Sequence, residues 1–119
     1  MKNKLNKSDL SQFIGSGSFT KWSILSKSVL TEGAKFVADR AGAYWLFDKI
    51  DLSIMGSGEN FVVCKISVED TSANIKLEDG NGQTIMSEWI RYTDFPLADL
   101  ELWAIHNGSG YTHMLPSEY

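Results

Sequence analysis

The 119-residue chain reads as an α+β protein, with N-terminal helices packed on one face of an antiparallel meander sheet of about four to six strands. Three observations carry this. Ala43, Leu46, Phe47, Ile50 and Ile54 recur at helical spacing inside the most apolar stretch, 34–54, which predicts an amphipathic helix. From Asn60 the apolar period falls to two. Asp79-Gly80-Asn81-Gly82 separates two such alternating runs with residues that tolerate the positive φ angles of a hairpin turn.

Taken in order, Ser8-Asp9-Leu10-Ser11-Gln12-Phe13-Ile14 opens on an N-cap residue with an acid in the first turn, and predicts a short helix. Gly15-Ser16-Gly17-Ser18 ends it. Residues 19–25 fit a strand or a helix, and their aromatic and β-branched content favours an edge strand. Thr31 is the next N-cap, with Glu32 at the positive helix end. Gly42 interrupts the apolar stretch, predicting one helix kinked or broken there, closed by Gly56-Ser57-Gly58. Val62, Cys64, Ile66 and Val68 mark one half-buried strand, and Ala73, Ile75 and Leu77 the next, with Asp70-Thr71-Ser72 turning between them. Further strands are expected at 84–92, 100–106 and 111–115, the last two joined by Asn107-Gly108-Ser109-Gly110.

Length and composition suit one domain, 1–119, able to bury a core without disulfides or a structural metal. No run approaches the roughly 20 apolar residues of a membrane helix, and the N-terminus has no apolar segment behind its lysines. The expectation is a cytoplasmic protein without membrane contact. Cys64, the single cysteine, lies in an apolar run and reads as a buried, inert thiol. Charge is lopsided: residues 1–35 hold six lysines against two carboxylates, and residues 36–119 hold five cations against thirteen. Residues 1–7 read as a flexible basic arm. With only Arg40 and Arg91 among the arginines and an acidic body, direct nucleic-acid binding is disfavoured.

Leu30-Thr31-Glu32-Gly33, the run Ala41-Gly42-Ala43-Tyr44-Trp45-Leu46-Phe47-Asp48, the Asp79–Gly82 turn, Asp94-Phe95-Pro96-Leu97 and Leu115-Pro116-Ser117-Glu118-Tyr119 form a recognisable set. Together they resemble an uncharacterised family of small bacterial, plasmid and phage proteins, most specifically in Ala-Gly-Ala-Tyr-Trp-Leu. The resemblance implies a compact protein associated with mobile elements, and brings no activity or catalytic residue with it. It points toward an inhibitor or modulator of a host system such as phage defence.

No catalytic or cofactor signature emerges, and the reading leans away from an enzyme. His106 and His113 are the best chemical pair: a hairpin through 107–110 sets His106 opposite Tyr111 and His113 on the same face, one diagonal away. Such a pair suits a metal-dependent or histidine-assisted hydrolase, but no further Cys or His lies nearby to complete a metal site. The Asp79 turn fails as a calcium loop because its glycine comes too early and Ile90 stands where the bidentate Glu belongs. No cofactor is expected. What remains is aromatic surface. Four tryptophans are many for a small sheet, and Trp89, Arg91, Tyr92 and Trp103 are the residues expected to form a face for a protein partner or for self-association.

Overall fold

The computed structural model describes residues 5–15, 17–23 and 26–119. A 3-10 helix at Lys7–Gln12 is followed by β1 (Phe19–Thr20), β2 (Val29–Thr31), α1 (Glu32–Ala41) and α2 (Tyr44–Ile54). The strands β3 (Phe61–Glu69), β4 (Ser72–Asp79), β5 (Thr84–Ile90), β6 (Asp99–His106) and β7 (Tyr111–Met114) come next, and a 3-10 turn at Pro116–Glu118 closes the chain's described part. All seven strands form one sheet, in the order β1-β2-β7-β6-β3-β4-β5.

The helices start and stop where local chemistry dictates. Thr31 Oγ1 accepts the Ala34 N–H at 3.2 Å, and Glu32 stands in the first turn of α1. Gly42 adopts the left-handed conformation (φ 61°, ψ 39°) that ends α1, so the apolar stretch is two helices at a break rather than one bent helix. The apolar stripe of α2, namely Leu46, Phe47, Ile50 and Ile54, is fully buried. Truncating Phe47 to alanine removes the largest of these side chains, a change that costs about 3–5 kcal/mol in a packed core.

The alternation in the strands decides which sheet face meets α2. Val62, Cys64 and Ile66 of β3 stand opposite Ala104, Leu102 and Leu100 of β6, and Cys64 and Ile66 also oppose Leu77 and Ile75 of β4; all are buried. His113 continues this face, paired with Ala104 on one side and Leu30 on the other. Asp51 of α2 meets His113, and Lys49 of α2 meets Glu88 of β5, so α2 spans this face from β7 to β5. The alternate residues, including Phe61, Val63, Lys65, Glu101, Trp103, Asn74 and Trp89, lie on the other face and are half-buried or exposed. This second face is called the open face below.

The α+β class stands, but the sheet differs from the expected meander in three ways. It has seven strands rather than four to six, and it is mixed, because β2 runs parallel to β7. β2 is three residues long and runs directly into α1, too short to show a period of two. The third difference is the order: β6 pairs with β3 instead of β5, so β6-β3-β4-β5 is a Greek key. The connection 91–98 makes the return and is pinned by Thr93 N–H to Thr71 O at 2.7 Å and Val68 N–H to Ala98 O at 2.7 Å, with Phe95 and Leu97 buried. β5 is thereby left as a sheet edge.

Smaller departures are local. The first helix is of the 3-10 type. The strand expected over 19–25 is confined to Phe19–Thr20; residues 21–23 are not extended into the sheet, and Ile24 and Leu25 lie outside the described residues, as do residues 1–4 of the expected basic arm. The rest of that arm is docked: Leu5 is buried and Lys7 pairs with Asp99.

Candidate functional site

Two regions concentrate functional side chains. The first lies under α2. Asp51 is 3% exposed, and its Oδ1 accepts from Ser28 Oγ at 2.5 Å and from His113 Nε2 at 3.0 Å, while Oδ2 accepts from Ser26 Oγ at 2.7 Å. Because an ionised carboxylate only accepts, Nε2 of His113 carries the proton of that contact. Burial works to raise the Asp51 pKa, but the hydrogen bonds from His113, Ser28 and Ser26 outweigh it and hold the carboxyl below its ordinary value. The His113 ring is sealed edge-on by Trp22 and Phe47, at centroid distances of 5.5 and 5.7 Å, and its Nδ1 is buried without a hydrogen-bond partner.

The cluster fastens three elements together. Ser28 Oγ also accepts the Tyr111 N–H at 2.9 Å, so one carboxylate ties the strand leading into β2 to α2 and β7. Gly110 makes the approach possible: a Cβ there would lie 2.7 Å from the Ser28 nitrogen. Outside the cluster a cleft of about 580 Å³ opens between Ser26, Asp51, Glu59, His106 and Tyr111. The serines donate to Asp51 and not to His113, so neither hydroxyl is activated by the imidazole as a nucleophile would be.

The two histidines have the register expected of them, His106 opposite Tyr111 and His113 one diagonal away on the same face. Their environments differ completely. His113 is 0% exposed against Asp51, whereas His106 is exposed, packs edge-on to Tyr111 at 5.2 Å and accepts the Gly108 N–H at Nδ1. Among the described residues no group of three or more His, Cys, Asp or Glu side chains is arranged to hold a metal ion.

The second region is the open face. Trp103 packs against Phe61 at 5.0 Å and Tyr119 at 5.4 Å, and Phe61 stacks on Tyr119 at 6.3 Å. Trp103 Nε1–H is satisfied by Glu101 Oε2 at 2.8 Å. Beside this trio a shallow cleft of about 320 Å³ is lined by Phe19, Ile105, Met114 and Tyr119. Charges here are balanced: Glu78 accepts from Lys65 and also pairs with Lys76, the Lys65 contact chiefly holding its carboxyl below the ordinary value. Of the four residues expected to form one binding face, Trp103 sits within this trio. Trp89, 62% exposed, shares the open face but stands on β5, opposite Asn74, while Tyr92 is 78% exposed and Arg91 exposed beyond the strand's end. Those three form a separate group at the sheet edge. Sequence reasoning passed over Phe61 and Tyr119; the parity of Phe61 with Val63, opposite to that of Val62, is the signal that places Phe61 beside Trp103.

The arrangement defines a small α+β protein with a mixed seven-stranded sheet, an amphipathic helix on one face and an aromatic cluster on the other. The chain belongs to the family of unknown function DUF6876, whose model matches residues 4–119. No curated protein and no solved structure matches it. Among the described residues no helix is long and apolar enough to cross a membrane.

Proposed function

We propose that this is a non-enzymatic binding protein that docks a protein partner on the open face, centred on Trp103. The observation that supports the reading is the trio of half-buried Phe61 and Trp103 with exposed Tyr119, a large apolar surface with a satisfied indole N–H and a rim of paired charges. Aromatic anchors inside a polar rim are the usual centres of interface energy. The charge-balanced rim suits a partner surface of similarly mixed polarity better than a polyanion. The resemblance to proteins of bacterial mobile elements directs the search to host proteins, with a defence component the partner sought first.

Capture from a host lysate tests this, using tagged wild-type chain and the Trp103→Ala and Tyr119→Ala variants. A single stoichiometric partner, retained by wild type and lost by both folded variants, is the expected result. Equal capture by wild type and variants refutes the face. A hydrolase built on His106 and His113 has less to support it, since Asp51 occupies Nε2 of His113 and the ring is shut from solvent.

A further inference from the structure

We propose that the chain forms a two-fold dimer by antiparallel pairing of the β5 edge with β5 of a second copy, centred on Trp89. Of the two edge strands, β1 has two residues and β5 has seven, with exposed or half-buried side chains along its whole length. Long edges in monomers are ordinarily blunted by lysine, proline or inward charge, because their free N–H and C=O groups template another strand. β5 (TIMSEWI) contains no lysine, arginine or proline, and its only charge, Glu88, is already held by Lys49 Nζ at 3.0 and 3.1 Å. One protective device is present: a register irregularity between Leu77 and Glu78 disturbs the pairing of Thr84 and Ile85. It leaves residues 86–90 regularly laddered to β4 and, among the described residues, without a strand on the other side.

Self-complementarity selects the occupant and the register. A two-fold axis normal to the sheet keeps both α2 layers on one side, and requires that directly opposed residues share a face. An axis at Glu88 would set two carboxylates opposite one another, which is unfavourable. An axis at Ser87 would carry the pairing back into the irregular residues Thr84 and Ile85. With the axis at Trp89 the indoles of the two copies face each other, Glu88 opposes Ile90, and Ser87 opposes Arg91, with no like charges directly paired. Trp89, at 62% exposure the most exposed of the tryptophans, then becomes the centre of the interface, and Arg91 and Tyr92 its rim. The two open faces join into one continuous surface with a Trp103 cluster on either side. The edge and the open face are separate features, so the dimer and the partner-binding reading are tested separately.

Light scattering of the wild-type chain across the micromolar range is expected to give twice 13.3 kDa. Trp89→Lys, which opposes two ammonium groups at the axis, is expected to give 13.3 kDa with an unchanged far-ultraviolet spectrum. Under oxidising conditions Trp89→Cys is expected to cross-link between copies and Ser87→Cys to do so far less, while buried Cys64 stays out of the reaction. A wild-type chain that remains at 13.3 kDa, or a dimer whose mass Trp89→Lys leaves unchanged, overturns the proposal; so does preferential cross-linking through Ser87→Cys.

Discussion

Replacing Asp51 by alanine is expected to cost this protein a large share of its stability. Asp51 accepts from Ser26, Ser28 and His113, the last two almost fully buried. Hydrogen bonds to a charged group contribute roughly 1.5–3 kcal/mol each, and each buried donor left without an acceptor costs about 1–3 kcal/mol. The three bonds are not additive, because Ser26 and Ser28 are themselves joined and share the carboxylate. Because Ser28 and His113 are almost fully buried and would both be left without an acceptor, the expected loss is about 3–5 kcal/mol. At this chain length roughly 3–5 °C of melting temperature accompanies each kcal/mol, so the midpoint should fall by about 10–25 °C. Asp51→Asn keeps the shape and one acceptor oxygen, and should lose about 1–3 kcal/mol. The pH dependence has a definite sign. The folded Asp51 value lies below the unfolded one, near 3.9, so its stabilisation is complete above that value and disappears as pH falls through the folded value. Urea melts at neutral pH and at about pH 3 should therefore show the wild type and Asp51→Asn converging at the lower pH. A loss for Asp51→Ala within about 0.5 kcal/mol, as for an ordinary surface change, would refute the assignment of a fastening role.

Other expectations follow from the same contacts. Gly110→Ala places a methyl against the Ser28 backbone and should lower stability by about 1–3 kcal/mol in chemical denaturation, whereas a neutral result would show that Ser28 yields freely. Glu118 accepts from Thr31 Oγ1, Gly33 N–H and Leu115 N–H, joining the last 3-10 turn to the start of α1; Glu118→Ala should cost about 2–4 kcal/mol in the same assay. Burial pushes the Cys64 thiol up to about 12, so a thiol-reactive chromophore should leave it untouched in the folded protein and label it in urea.

The strands and helices that can be read from sequence are those whose signal is local. Thr31 caps α1 as its hydroxyl predicts, and the alternation in β3 and β4 gives their buried faces correctly. β2 is hidden because three residues carry no period, and its pairing with β7 depends on chain 83 residues away. The Greek-key return was hidden for a related reason: alternation shows which face of β6 is apolar but not whether its neighbour is β3 or β5. Within the candidate site, the register of His106 and His113 followed from hairpin geometry, while the partner of His113 did not. Asp51 lies 62 residues away on another element, and an aspartate in a helix ordinarily reads as solvated surface. Likewise the residue type of Trp103 marks it in the sequence, but its neighbours Phe61 and Tyr119 come together only through the β3–β6 pairing and the last turn.

Calorimetric titration of the captured partner into wild type, Trp103→Ala and Leu52→Ala measures most directly whether the open face is the interface. Leu52 is 68% exposed on α2 and serves as the control on the opposite side of the molecule. Loss of a central aromatic anchor costs about 2 kcal/mol or more, so Trp103→Ala should weaken binding by roughly thirtyfold or more with Leu52→Ala near wild type. An unchanged Kd for Trp103→Ala together with a weakened Leu52→Ala would place the interface on α2 and contradict the account.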